Sequence, residues 1–191
     1  EPALVDEAVA TSNLFPTLGV RPAVGRGFVP DDERPGAAPV AVLSHALWQR
    51  RFGGDPSVVG SAIRLDGEPV TVVGVLPADF RYRSGAQVWR PLVPTRIDAE
   101  RGTHQYALIG RLAPGVTREA AEGEARAIAR RLELQYPADN AKRSARLDPM
   151  RDVLVRDARP ALLVLFGAVG LVLLIGCANL ASLFLARAAA R

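Results

Sequence analysis

Residues 161–186 read ALLVLFGAVGLVLLIGCANLASLFLA, 26 consecutive positions without a charged side chain. No other feature of the chain narrows its possible folds as much. A helix rises about 1.5 Å per residue, and a bilayer core of about 30 Å takes roughly 20 apolar residues. The run is therefore long enough to span, with some left for tilt. A helix packed on a soluble core is apolar along one stripe, whereas this one is apolar on every face, and it is read as a transmembrane helix. Pro160 suits the first turn, where its missing N–H costs nothing. Arg159 and Arg187 bracket the run and can reach the two interfaces.

Within the run, Gly167, Gly170, Cys177 and Ala181 recur at helical spacing, with Leu174 completing the stripe. Small residues on one face let a second helix approach closely. Asn179 and Ser182 add polar groups about one turn apart. An amide left unsatisfied in hydrocarbon is costly, so such residues face protein or water. Packing against further helices is the expectation, and an isolated anchor with incidental glycines is the alternative. Charge does not set the orientation. Arg187 and Arg191 follow the run, five arginines fall between Arg143 and Arg159 before it, and folded domains translocate with little regard to charge.

Residues 1–159 have the mixed composition of a soluble domain. The net charge of +4 comes from 24 basic residues, all arginine except Lys142, interspersed with 20 acidic ones. The closest basic clusters are Arg50–Arg51, Arg130–Arg131 and Lys142–Arg143–Arg146, none interleaved with aromatics and none within a helix-turn-helix, zinc-finger or RNA-binding signature. Solvated faces account for them, and no nucleic-acid partner is expected. Cys177 is the single cysteine, so there is no intrachain disulfide and no thiol pair for a metal. The chain opens at Glu1 without a Met or signal peptide and stops just past the apolar run, and it is expected to be cut from a longer protein at both ends.

Along residues 1–159, LVDEAVAT suggests a strand, and a Gly/Pro-punctuated loop follows through residues 12–33. VAVL at 40–43 predicts a short strand. A helix follows from Ser44 as N-cap to a stop at Gly53–Gly54. SAIRLDGEPVTVVGVLP predicts two strands joined at Asp66–Gly67, a strong hairpin signal. QVWRPLV and HQYALIGRL are further strand candidates. Thr117 opens a helix running to Tyr136 before Pro137, and its stripe of Ala121, Ala125, Ile128 and Leu132 predicts packing on a sheet. Glu119 and Glu122 sit near its positive N-terminal end. The fold class is α+β: a mixed sheet with packed helices, followed by one transmembrane helix.

No constellation for chemistry stands out. Ser44 and His45 are adjacent, which points them apart, and no G-x-S-x-G elbow frames the serine. Capping is its expected role. A hydrolase using Ser44, Asp66 or His104 is the remote alternative. The two histidines belong to no ligand spacing. Asp31–Asp32–Glu33 follows Pro30 as a solvated turn rather than a cation site. Gly25–Arg26–Gly27 lacks the Lys-Ser/Thr of a phosphate loop. No catalytic, cofactor or metal residue is assigned, and no ATP hydrolysis is expected of this chain.

The order of SNLFPTLGVRPAVGRGF, PVAVLSHALWQRRFGGDPSVVGSAIRLDGEPVTVVGVLPADF, VWRPL, LIGRLAPGVTREAAEGEARAIARRL and LLLIGCANLASLFLARAAAR resembles a MacB-like periplasmic core domain followed by the start of an FtsX-like permease domain. Among such proteins it looks closest to the large ABC permeases called acidobacterial duplicated or orphan permeases. Each motif alone is turn and core chemistry, and the order carries the resemblance. It implies residues 1–159 as the periplasmic core domain, 160–187 as the second transmembrane helix, and 188–191 as a cytoplasmic stub. It further implies an inner-membrane location, a permease dimer in the lipid bilayer, and a separate ABC ATP-binding subunit whose motion the helices relay to the periplasm. A membrane-anchored binding or sensor module without transport is the second reading.

Overall fold

A computed structural model describes residues 4–82, 85–95, 106–155 and 158–189. In the last stretch, side chains are described for residues 162–177 and 187. The chain divides into two compact units, Glu1–Ala145 and Arg146–Arg191.

The first unit is built on a six-stranded mixed sheet. Its strands are β1 (Glu7–Ala10), β2 (Val24–Gly25), β3 (Val40–Leu43), β4 (Ala62–Leu65), β5 (Glu68–Val75) and β6 (Val88–Pro91). Spatially they run β1-β6-β3-β5-β2, and β4 also pairs with β5. β6 lies parallel to β1 and antiparallel to β3, while β3 and β5 are parallel. The continuous apolar run VAVL marks β3 as a strand buried on both faces, and all four of its residues are buried. Ala41 and Leu43 join one core, with Leu47, Trp48, Val70, Val72 and Val88. Val40 and Val42 join the other, with Phe15, Phe28, Leu76 and Trp89.

Local signals set most boundaries. The Ser44 side chain accepts a hydrogen bond from the Leu47 amide at 3.2 Å, opening α2 (His45–Phe52), and Gly53 ends it at φ 62. Such a left-handed C-terminal residue is inexpensive only for glycine or asparagine. Asp66 (φ 50) and Gly67 (φ 86) make the tight turn between β4 and β5, a turn that needs positive φ at both central residues. The Gly/Pro-rich loop holds three elements too short for periodicity to reveal: α1 (Leu14–Leu18), β2 and a 3-10 turn at Pro30–Glu33.

Helix α3 (Arg118–Gln135) forms as expected, capped by Thr117 Oγ1 accepting from the Ala120 amide at 3.2 Å. The expectation that its stripe packs on the sheet is not met. Ile128 is 42% and Leu132 36% exposed, and α3 lies against α4 (Pro137–Asn140) instead. The physical reason is occupancy: both sheet faces are already covered, and neither core includes an α3 residue. HQYALIGRL is corrected as well. His104 and Gln105 lie outside the described residues, and residues 106–113 form no strand. Leu108 is 99% exposed. Arg111 ties this stretch to α1, donating to the Thr17 carbonyl at 3.0 and 2.8 Å.

The second unit contains α5 (Met150–Val155) and α6 (Ala158–Ala189), the latter 32 residues long. Its large apolar side chains from Leu162 to Ile175 are exposed within the chain. Among the described residues, no helix is long and apolar enough to cross a membrane. The described side chains of α6 cover residues 162–177, short of the roughly 20 apolar residues a bilayer core takes.

β2 reaches the sheet where Gly25 pairs with Gly74, and a Cβ on Gly25 would stand 2.3 Å from the Val73 carbonyl oxygen. A Cβ on Gly74 would stand 2.1 Å from the Arg26 carbonyl oxygen, whereas one on Gly67 would meet nothing within 4 Å. Gly74→Ala is expected to destabilise the first unit by about 3 kcal/mol or more through backbone displacement. Gly67→Ala is expected to cost about 1–2 kcal/mol from its left-handed φ alone. Urea unfolding of the full chain, followed by Trp48 and Trp89 fluorescence, ranks the two; equal costs would show that the Gly74 contact constrains nothing.

Candidate functional site

The residues that suggested chemistry are consumed by local structure. Ser44 Oγ caps α2, and the His45 ring stands edge-on to Trp48 at 5.3 Å. Asp66 occupies the hairpin turn, and His104 lies outside the described residues. Among the described residues, no nucleophile, base and orienting acid are assembled around Ser44 or Asp66. Among the described residues, no group of three or more His, Cys, Asp or Glu side chains is placed to hold a metal ion.

The acidic run behaves differently from a solvated turn. Asp31 stays at the surface, paired with Arg34 at 2.9 Å. Asp32 is buried, at 8% exposure. Arg26 grips it with both guanidinium nitrogens, at 2.6 and 3.0 Å, and the Val29 amide donates to it at 2.8 Å. Glu33 accepts from the Ser12 amide. The run thus fastens the loop after β2 to the sheet, and Gly25–Arg26–Gly27 supplies the cation rather than a phosphate cradle. Patterning did not expose this pair. Its one signal is an arginine between two glycines, six residues before the second aspartate after a proline.

Next to this loop lies an aromatic cluster that sequence reasoning also missed. Trp89, on β6, stands edge-on to Phe15 at 5.7 Å, Phe80 at 6.0 Å and Tyr82 at 5.1 Å. Its indole Nε1–H is buried with no hydrogen-bond partner among the described residues. Burying an unsatisfied donor costs about 1–3 kcal/mol, and edge-to-face ring pairs return about 0.5–1.5 kcal/mol each.

The residues expected to form a helix-packing face fall on α6. At about 100° per residue, Gly167, Gly170 and Cys177 lie within about 80° of arc. Gly170 is half-buried, while Gly167 and Cys177 are exposed. The side chains of Ala181, Asn179 and Ser182 lie outside the described residues. α6 therefore has a narrow strip of small residues open to an approaching helix, among bulky side chains such as Phe166 and Leu173.

A sheet with both faces covered is followed in sequence by a long apolar helix. The family model of the MacB-like periplasmic core domain matches residues 3–128, and the chain belongs to that family. Among solved structures, the chain is similar to the periplasmic region of MacB from Actinobacillus actinomycetemcomitans, at 16% identity and a TM-score of 0.46. That likeness covers 68% of this chain, which spans 56% of the MacB region. It is also similar to a domain assigned to a permease protein from Porphyromonas gingivalis, at 20% identity and a TM-score of 0.47, covering 76% of this chain and 69% of that one. No curated protein matches. The resemblance drawn from segment order is thus confirmed for the core domain.

The Arg26–Asp32 pair makes stability depend on pH. The hydrogen bonds from Arg26, with the Val29 amide adding, hold the Asp32 carboxyl below its usual range, and burial opposes them. A depressed carboxyl stabilises the fold above its unfolded pKa of about 3.9, and that contribution is lost as pH falls through the lower folded value. Asp32→Asn should lower stability at neutral pH by about 1–2 kcal/mol, because solvent screens the half-exposed Arg26. The variant should also flatten the acid limb below about pH 4. Urea midpoints measured stepwise from neutral to acid test this; a limb as steep in the variant as in the parent removes Asp32 from the explanation.

Proposed function

We propose that the chain is part of the membrane permease subunit of an ABC transporter, relaying ATPase-driven motion to a periplasmic domain for export or other envelope work. One observation carries this reading: a MacB-like periplasmic core domain is followed, in the same chain, by a helix with a 26-residue uncharged run. At about 1.5 Å per residue, the 32 residues of α6 reach about 48 Å. The full bilayer is about 40–45 Å thick.

On this reading, α6 spans the inner membrane as the start of an FtsX-like permease domain, residues 1–159 are periplasmic, and residues 188–191 are cytoplasmic. Every exposed face of α6 is then covered by lipid or by further helices. The strip of Gly167, Gly170, Cys177 and Ala181 takes a neighbouring helix, and Asn179 and Ser182 find intramembrane partners. ATP is hydrolysed by a separate ATP-binding subunit, and the permease works as a dimer. No cofactor is required of this chain. The second reading, a membrane-anchored extracytoplasmic sensor, needs only the span and the domain; the small-residue strip favours the permease, because a lone anchor has no use for close helix approach.

The test uses the full-length protein in native membranes, with Cys177 as its thiol. The permease reading predicts that an ATP-binding subunit co-purifies with it and that Cys177 is crosslinked to another membrane helix. It also predicts that Gly170→Leu, which fills the strip, lowers crosslinking several-fold while the periplasmic unit stays folded. A Cys177 that reacts freely with lipid-phase reagents, in a protein that recovers a signalling partner and no ATPase, would overturn it.

A further inference from the structure

Residues 106–145 follow the sheet strands in the chain, yet neither core takes a side chain from them. From Tyr106 to Ala120 every residue is exposed except Ile109, which is half-buried. A contact nevertheless reaches back 94 residues to the sheet side. The Arg111 guanidinium donates through Nε and Nη2 to a single acceptor, the Thr17 carbonyl, at 3.0 and 2.8 Å. Thr17 lies in the last turn of α1, where helix carbonyls lack partners within the helix. The amides of Gly19 and Val20, which close α1, go to the Pro16 and Phe15 carbonyls. The Thr17 oxygen is thus left for a side chain, and arginine suits the end of a helix. A Cβ on Gly19 would stand 3.5 Å from Nη2, so the guanidinium rests against the residue that ends α1.

On one side this contact leads into the core. Phe15 of α1 is 1% exposed and stands edge-on to Trp89. On the other side it leads to α3. The Val116 amide donates to the Ala113 carbonyl at 3.1 Å, closing a turn with Gly115 at φ 80. Thr117 caps α3 directly after that turn. The turn fixes the path from Arg111 to the helix, so α3 follows Arg111. Gly110, just upstream, is exposed, and a Cβ there would meet nothing within 4 Å. Packing does not hold the chain at that point, and a moving segment absorbs its backbone change at a few such residues. The arm beyond is held to itself: α3 lies against α4, and Glu133 accepts from the Lys142 amide at 2.8 Å.

We propose that Arg111 is a latch between two parts of the first unit. Closed on Thr17, it fixes α3 and α4 relative to the sheet. Open, it lets them pivot at Gly110 while the sheet and its two cores stay intact. Water can replace the exposed hydrogen bonds of Arg111, and release uncovers no core residue. The latch stands on the first unit alone; its use as a step in the relay rests on the permease reading above.

The full chain in detergent, in a Cys177→Ala background and without an ATP-binding subunit, tests the latch apart from the permease reading. Spin labels at Glu68→Cys on the sheet and Ala127→Cys on α3 report the distance between the two parts. Arg111→Met keeps the length of the side chain and removes its donors. It should broaden the distance distribution several-fold, while the urea midpoint followed by Trp48 and Trp89 fluorescence stays that of the parent. Arg118→Met, the control at the next arginine along, should leave both unchanged. A distribution as narrow in Arg111→Met as in the parent, or as broad in the parent as in Arg111→Met, overturns the proposal. So does equal broadening by Arg118→Met. A lowered urea midpoint in Arg111→Met would make the contact a brace of the fold and not a latch.

Discussion

The outer edge of β5 is shared by two strands, and the sharing depends on a backbone contact that leaves no room for a side chain. β4 takes the first half of that edge as a hairpin, and β2 takes the second at Gly74 and Val75. Beyond the turn, Gly74 lies so close to Arg26 that a Cβ would overlap its carbonyl. From this contact a chain of placements follows. Arg26 is held where its guanidinium reaches Asp32, and Asp32 holds the Val29 amide. The loop so fastened includes Phe28, which packs on Phe15 at 5.7 Å. Phe15 in turn stands edge-on to Trp89 on β6, a strand that pairs with both β1 and β3. One sheet edge and one aromatic core are thus tied to two residues without side chains.

What the amino-acid order discloses and what it conceals divide along range of interaction. Ser44, Gly53, the Asp66–Gly67 turn and Thr117 act within five residues of their own positions, and each was legible because its chemistry is local. The Arg26–Asp32 pair and the rings around Trp89 are not. Phe15, Phe80 and Trp89 come from well-separated segments, and no periodicity connects them. The two misreadings share a cause. Ile128 and Leu132 have helical spacing, and residues 106–113 have strand-like composition, but both patterns report a capacity to bury and neither names a surface. For α3, both faces of the sheet were already filled. The core-domain resemblance succeeded where single motifs did not, because segment order adds up many weak turn and core signals.

The same division bears on function. An active site requires groups from distant segments to converge with their reactive atoms free. Here Ser44, Asp32 and Asp55 each bind an amide or a cation of the fold: Ser57 donates from its amide and its hydroxyl to Asp55 and holds that carboxyl below its usual range. Groups so engaged stiffen loops and are poor donors or acceptors for substrate. Such stiffened loops suit the relay to the periplasm proposed above.

α6 poses the opposite problem. The sheet unit hides its large apolar groups, leaving Trp89 at 1% and Leu43 at 0% exposure, while Phe166 at 73% and Val164 at 74% lie open within the same chain. Burying a side chain of this size is worth about 1.5–3 kcal/mol, so a row of them left in water would cost far more than a domain's net stability of about 5–15 kcal/mol. Such a helix must be covered, and lipid alone covers it without asking for small residues at 167 and 170. Glycine lowers helix propensity by about 1 kcal/mol relative to alanine, a cost that a lipid-facing helix gains nothing from and a closely packed one recovers through contact. On the proposed reading of α6 as a membrane span, the glycines at 167 and 170, more than the length of the apolar run, favour neighbouring helices over a plain anchor.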